Sequence, residues 1–381
     1  MSVMEGNMIK LLHTGDWHLG RSYSSVQAEN PEAAARYSGA RVEALRNLIR
    51  TAGTEGVDYI VAAGDIFDSK QSSKDFIGTV CGILAEAECP VIIIPGNHDY
   101  YEQNDPFWKK VKDAAEENTV ILTDSRPFEP AGGNAVFYPC ICHDRYSEGN
   151  ALLWLKEYKD RNEEKVNIGI AHGALEGLSF DREKKYYYMT REELTACSMD
   201  LWLLGHSHVP YPNTETIYGE GVFNAGTHQQ TDMADRSPGS AFIITVDDDK
   251  QISAKMVMTG VLHFRRLSIV IGRTDTLTDK IERAVSGING DEYSLRIDIS
   301  GYASPEDFEQ RQSVYDSFSS RFISFEVTDD GLKKQITPEM IDAETIEGTL
   351  ENRLLKKYTD APELLELAMD IVESCRKGEH S

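Results

Sequence analysis

The sequence predicts an α/β layered fold, and three observations predict it. Short runs rich in Ile and Val recur between Ile9 and about Thr259, each ending in a small polar motif. Helical patterns such as Pro31–Ala52 and Ser73–Ala87 fill the intervals. The motifs all follow the runs directly. In a sheet whose strands alternate with helices, that strand-end position is where ligands are expected.

Taken in chain order, Ile9–His13 leads into Gly15-Asp16-Trp17-His18, and Tyr59–Ala63 into Gly64-Asp65. Val91–Pro95 leads into Gly96-Asn97-His98-Asp99, Val166–Ile170 into Ala171-His172, and Leu201–Leu204 into Gly205-His206-Ser207-His208. Gly64, Gly96 and Gly205 allow sharp turns that aim the next side chain into a shared pocket. These segments read as a first domain over 1–260. After Thr259 the pattern changes: Leu267–Ile271, Ser294–Ile299 and Phe322–Val327 read as strands, separated by helical Leu277–Val285 and Pro305–Phe318. With no ligand-type motif in it, 261–336 reads as a small accessory α/β domain. The segment 337–381 is helical, with Ile346, Leu350, Leu354 and Tyr358 on one face and Leu364, Ala368, Ile371 and Cys375 on another. Asp360 and Glu363 have the spacing of a capping box. The segment reads either as a hairpin packed on the body or as a docking element for a partner helix or coiled coil.

Composition narrows the class. A hydrophobic content of 40% and a charged content of 27% describe an ordinary globular chain. Met1–Met8 carries no basic region followed by an apolar stretch, and no run reaches the roughly 20 apolar residues of a membrane span. Six scattered cysteines form neither a CxxC pair nor a disulfide framework, so a reduced, cytoplasmic setting is expected. The net charge of −24 argues against a large, uniformly basic nucleic-acid surface. A nucleic-acid enzyme stays open, because two divalent cations would add about +4 locally.

The motifs carry the chemistry. Five of the ten histidines lie in them, beside carboxylates and one amide. This oxygen and nitrogen mixture holds two adjacent divalent metals. Asp65, following a strand and a glycine, is the natural bridge. Asp16 and His18 lie two apart and can point to one side of an extended turn, and His206 and His208 share that spacing. Asn97 and His172 complete the candidate set. Such ligation suits Mn²⁺, Fe²⁺, Zn²⁺ or Mg²⁺, and its histidine content leans away from Mg²⁺ alone. Two such cations would activate water and offset charge developing on a phosphodiester. The leaving alkoxide needs a proton. His98 is assigned as that acid or as a phosphate stabiliser, with Asp99 expected to orient its imidazole. His13, inside an apolar run, reads as a core histidine, Trp17 as packing, and Asp68 as a helix cap or a supporting group. Tyr186-Tyr187-Tyr188, after Arg182, Lys184 and Lys185, suits either a nucleic-acid strand or an exposed loop.

In this order and spacing the motifs resemble the calcineurin-like metallophosphoesterase superfamily. The stretches Leu12-His13-Thr14-Gly15-Asp16-Trp17-His18-Leu19-Gly20 and Ala63-Gly64-Asp65-Ile66-Phe67-Asp68 resemble the SbcD-type DNA-repair nuclease subunit. The resemblance implies a layered β-sandwich core flanked by helices, with a small α/β capping domain and C-terminal helices. It implies one metal on Asp16, His18, Asp65 and His208, a second on Asp65, Asn97, His172 and His206, and His98 as a catalytic residue. It further implies Mn²⁺ (manganese), a homodimer, and C-terminal helices bound to the coiled-coil base of an SbcC-type ATPase. The implied activity is exonuclease and endonuclease cleavage of DNA. The chain departs from some members at Asp68, where they carry His, and at Asn224-Ala225-Gly226-Thr227-His228, where a Gly-Ser turn followed by Glu is common. Two other readings stand beside the nuclease: a phosphoesterase for a small nucleotide or lipid phosphodiester, and a non-enzymatic scaffold. The accessory domain and C-terminal helices favour the nuclease; the complete ligand set weighs against the scaffold.

Overall fold

Side-chain alternation along strand β1 (Ile9–Thr14) builds two cores at once, because successive residues of a strand face opposite sides. Ile9 and Leu11 enter a core between two sheets, whereas Leu12 enters a core beneath helices. The computed structural model describes residues 8–179 and 181–377; the start of the chain, read above as free of a signal segment, lies outside the described residues through residue 7. The chain divides into two compact units, Met1–Phe264 and Arg265–Ser381.

In the first unit β1 is followed by α1 (Ser24–Glu29), α2 (Pro31–Glu55), β2 (Tyr59–Ala63), α3 (Lys74–Ala85), β3 (Val91–Ile94), α4 (Pro106–Ala114) and β4 (Thr119–Ile121). Next come β5 (Ala135–Cys140), α5 (Leu153–Glu157), β6 (Val166–His172), α6 (Arg191–Ala196) and β7 (Leu201–Gly205). The unit closes with β8 (Thr216–Tyr218), β9 (Val222–Asn224), β10 (Ser240–Val246) and β11 (Ile252–Met258), and β12 (His263–Ile271) leads out of it. A seven-stranded sheet runs β4-β3-β2-β1-β10-β11-β8, and a four-stranded one runs β5-β6-β7-β9. The first is parallel from β4 to β1 and antiparallel beyond; the second is parallel throughout.

The two sheets pack face to face through Leu11, Val61, Ile92, Phe137, Ile168, Leu203 and Phe242. Helices α2, α3 and α4 cover the outer face of the larger sheet through Leu45, Leu48, Ile77, Val80 and Trp108. Leu155 of α5 and Leu194 of α6 cover the smaller one. The result is the expected layered α/β sandwich. Local signals explain the helix ends: Asn30 caps α2 by accepting from the Ala33 amide, Pro31 opens it, and Gly56 closes it at φ 59°.

The chain leaving this unit is held by two buried glutamines. Gln229 Oε1 accepts from the amides of Val261 (2.9 Å) and Leu262 (3.3 Å), while its Nε2 donates to the Leu262 carbonyl. Gln230 does the same for Phe264, accepting its amide at 2.8 Å and donating to its carbonyl at 3.1 Å.

The second unit contains α7 (Leu277–Val285), β13 (Tyr293–Ala303), α8 (Pro305–Ser319) and β14 (Ser324–Lys334), with sheet order β12-β13-β14 and β13 parallel to β14. Ile271, Leu277, Ile281, Leu295, Ile297 and Phe318 form its core. Three helices follow, α9 (Pro338–Glu344), α10 (Leu350–Lys357) and α11 (Pro362–Lys377), closed around Ile341, Leu355, Leu365 and Ala368. Of the two faces read above, Ala368 is buried, Leu354 and Tyr358 pack against this core and other members are exposed, while the capping box is corrected. Ile346 and Leu350 are 78% and 82% exposed, and Leu364 and Ile371 are each 50% exposed. The helices turn inward on Leu355 and Leu365, each one residue, about 100°, around from Leu354 and Leu364. Helix α11 also opens on Pro362, one residue too late for Asp360 to serve as its cap. No helix among the described residues is long and apolar enough to cross a membrane.

Candidate metal centre

Five parallel strands, β1, β2 and β3 of the larger sheet and β6 and β7 of the smaller, deliver their C-terminal ends to one place. The exits are tied together by main-chain bonds. Asp16 N donates to Gly64 O (3.1 Å), and His18 N to Asp65 O (2.9 Å). The sheets are linked through rings: His13 Nε2 lies 3.0 Å from Leu204 O, and His172 Nδ1 lies 2.8 Å from Ala63 O. The turns are sharp. Asp16, His18, Asp65 and His206 have φ of 50°, 43°, 52° and 101°, conformations that cost on the order of 1–3 kcal/mol each and persist only where the surroundings enforce them. Gly64, at φ 86°, is required twice over, since a Cβ there would strike the His172 ring.

The seven predicted ligand residues come together as two groups that share Asp65. In one, His18 Nε2 lies 3.1 Å from His208 Nε2 and 3.6 Å from Asp65 Oδ2. Asp16 offers a carboxylate oxygen within 4.8 Å of the ligand nitrogens of His18 and His208. In the other, His172 Nε2 lies 3.3 Å from Asp65 Oδ2 and 3.0 Å from Asn97 Oδ1, which is also 3.2 Å from His206 Nδ1. Asp16 is oriented by the His206 amide, which it accepts at 2.9 and 3.0 Å. Asp65 Oδ1 accepts the His98 amide at 2.8 Å.

The electrostatics suit cations. Burial lowers the His18 and His208 imidazoles below their ordinary value and His206 to about 4, leaving neutral rings with a lone pair to offer. Burial works against the charge on Asp65, yet the imidazoles of His172, His18 and His98 outweigh it and hold its carboxyl well below the usual range. Burial likewise opposes charge on His172, but Asp65 and Asp16 raise it to about 9, so the local field favours positive charge. Facing lone pairs such as those of His18 and His208 repel unless a proton or a cation lies between them. Imidazoles, carboxylates and one amide oxygen in two groups therefore fit two divalent cations, one of which would take the place of the proton on His172.

One expectation is corrected. Asp99 does not orient the His98 ring: its oxygens accept the Gly96 amide (2.7 Å) and the Phe67 amide (3.0 Å), bracing the turn that carries Asn97. His98 Nδ1 instead lies 3.0 Å from the main-chain carbonyl oxygen of Asp68. Its ring is half-buried at the rim of the cluster, edge-on to His18 at 4.7 Å.

Residues 9–210 match the calcineurin-like phosphoesterase family. The chain belongs to that family. Over 298 residues it is 24% identical to the SbcD component of the nuclease SbcCD from Staphylococcus saprophyticus, covering 72% of this chain and 75% of that one. It is 26% identical over 205 residues to the uncharacterized metallophosphoesterase YhaO of Bacillus subtilis, covering 52% of this chain and 48% of that protein, about half its length. Among solved structures, TT1561 of Thermus thermophilus aligns with a TM-score of 0.38 at 12% identity, over 66% of this chain and 99% of its own. A dimetal phosphatase from Danio rerio gives 0.37 at 13% identity, over 65% and 98%.

Other residues of this phosphoesterase fall as follows. His13 is fully buried between the sheets, and Trp17 is fully buried with its Nε1 donating to Thr14 Oγ1 at 2.9 Å. The Tyr186 ring stands 5.2 Å from that of His206, whereas Tyr187 is buried and its hydroxyl accepts the amides of His143 and Asp144. Arg41 escaped the sequence reading. Buried on α2, it donates to Gln229 O (3.4 Å) and Thr231 Oγ1 (3.3 Å) behind the His motif loops. Thr227, on that same loop, donates to Asp16 O at 3.0 Å. A lone Arg at a buried position of an amphipathic helix is the signal that would have found it.

Proposed function

We propose that this chain is a two-metal-dependent DNA nuclease of the SbcD type, cleaving phosphodiesters as an exonuclease and endonuclease. One observation carries the reading: Asp65 stands in both donor groups, 3.6 Å from His18 and 3.3 Å from His172 through the same oxygen. Two divalent cations, taken as Mn²⁺, would be held by Asp16, His18, Asp65 and His208 and by Asp65, Asn97, His172 and His206, and would supply Lewis acidity and compensating charge at the phosphate. The remaining work belongs to the chain. Asp65 holds the two groups together, and Asp99 keeps the Gly96 turn closed so that the Asn97 oxygen stays in place. His98 keeps its Nδ1–H on the Asp68 carbonyl, so it is in the doubly protonated form that its Nε2–H gives a proton to the leaving oxygen.

The similarity to the Staphylococcus nuclease component supports DNA as substrate. Its coverage, 72% of the chain, slightly exceeds what the phosphoesterase unit alone supplies. On this reading 261–336 caps the DNA site. Helices in 337–381 dock an SbcC-type coiled-coil ATPase through the exposed Leu364, Leu367 and Ile371, and the chain works as a homodimer in the cytoplasm.

The test is Mn²⁺-dependent cleavage of end-labelled double-stranded DNA beside bis-p-nitrophenyl phosphate, by the wild-type chain and His98→Ala. Both substrates should be cleaved, with turnover lowered roughly 10²–10⁴-fold in the variant and its metal content kept. Cleavage of the small ester alone, with the coiled-coil ATPase present as well as absent, would move the reading to a small phosphodiester. Full activity in the variant would remove His98 from its role.

A further inference from the structure

The two nitrogens of His18 have different surroundings, although the whole ring is only 2% exposed. Nε2 lies among the candidate ligands. Nδ1 is buried and makes no hydrogen bond of good geometry, while Asp68 Oδ1 stands 3.4 Å from it. An unmet buried polar atom costs about 1–3 kcal/mol, so the ring is driven to the tautomer whose Nδ1–H faces that carboxylate. His98 makes the matching approach to the same residue through a different atom, its Nδ1 lying 3.0 Å from the Asp68 carbonyl oxygen. A carbonyl only accepts, so His98 Nδ1 must carry the hydrogen. The segment that presents both acceptors is itself fixed, because Asp68 N donates to Leu19 O at 3.0 Å, next to His18 in the chain.

We propose that Asp68 is a positioning residue that holds the Nδ1–H of two histidines at once, His18 through its carboxylate and His98 through its carbonyl, so that both rings present Nε2 to the reaction site. The inference rests on the reading above, in which His18 holds a cation. Histidine ligands are commonly fixed by a carboxylate on their second nitrogen, and losing that partner weakens metal binding about 10–100-fold. The two routes separate under mutation: a change of side chain removes the acceptor of His18 and leaves the carbonyl that serves His98.

The decisive experiment titrates Mn²⁺ into the metal-free full chain, following stoichiometry and affinity by calorimetry and by the Mn²⁺ resonance signal. Wild type, Asp68→Ala, Asp68→Asn and, as control, His18→Ala are compared, with melting midpoints of the metal-free chains checking the fold. Asp68→Ala should bind about 10–100-fold more weakly and need a correspondingly higher Mn²⁺ concentration for half-maximal cleavage. Asp68→Asn, whose amide oxygen still accepts, should stay within a few-fold of wild type. Unchanged affinity in Asp68→Ala overturns the proposal, as does an equal loss in both variants. The ligand atoms of His18, Asp68 and His98 also lie within 4.8 Å of one another. A third Mn²⁺ per chain, lost in Asp68→Ala, would therefore make the cluster a cation site and overturn the positioning role. A wild-type chain that binds no Mn²⁺ would remove the functional reading and this inference together, whereas wild-type binding with an indifferent Asp68→Ala removes the inference alone.

Discussion

Both units of the chain alternate strand and helix, and they differ in what they place at the strand ends. In the first, Asp16, His18, Asp65, Asn97, Asp99 and His172 are all buried at such ends. Among the described residues, the non-glycine residues with positive φ also all belong to this unit. In the second, Ser294 and Asn352 are the buried polar residues among the described residues, and the core is otherwise aliphatic and aromatic. Burying charge and bending the backbone both work against folding. The first unit offsets them with two large apolar cores on either side of one sheet. Chemistry is thus concentrated where packing is most redundant, and the second unit has folded without it.

The largest effect should come from the shared carboxylate. Asp65→Asn is expected to lower phosphodiester cleavage by at least about 10³-fold, more than the loss of a single transition-state donor, and to reduce bound Mn²⁺ at both groups. Elemental analysis showing an unchanged metal content would sink the bridging assignment. The opposite signature is expected in the second unit. Ile297, fully buried in β13, should cost about 2–5 kcal/mol of that unit's stability when replaced by Ala, read in the urea midpoint. Cleavage of bis-p-nitrophenyl phosphate at low temperature should stay at the wild-type rate. A parallel loss of cleavage would show that the division of labour is less clean than the burial pattern indicates.

The smallest effect is one of pH. Burial lowers the His13 imidazole from 6.5 to about 4. A base depressed in this way stays neutral in the native state while the unfolded chain takes up the proton. The contribution is therefore intact above the unfolded value of 6.5 and is lost as the pH falls toward 4. At pH 5 the loss is on the order of 2 kcal/mol. His13→Leu should flatten the difference between urea midpoints at pH 7 and pH 5 by that amount; an unaltered difference would mean that the native ring titrates normally.

The contrast between the units also explains what the sequence could reveal. Strand-end ligands were legible because a β run, a glycine and a donor stand consecutively, so Gly64-Asp65 and Gly205-His206 announce both position and direction. The element order of the second unit was legible from its apolar periodicity. Other features leave no such mark. The acceptor that fixes His98 is the main-chain oxygen of Asp68, and every residue has one. Asp99 was assigned to the neighbouring ring, although a carboxylate three residues past Gly96 closes a turn equally well. Arg41 lies far in sequence from the loop it supports. In α10 and α11, Leu354 and Leu355, and likewise Leu364 and Leu365, offered two overlapping apolar faces, and packing decided between them.

The glutamine clamp on the departing chain has a consequence for which variants of this protein can persist. Gln229 accepts and donates in the same stretch of two residues, and Gln230 does both at one residue. A glutamine codon is a single base from glutamate and from lysine, yet glutamate at neutral pH only accepts and lysine only donates. Either of these single-base changes at the two positions therefore strands a buried main-chain group. Natural variation there should be narrow even though neither residue touches the reaction.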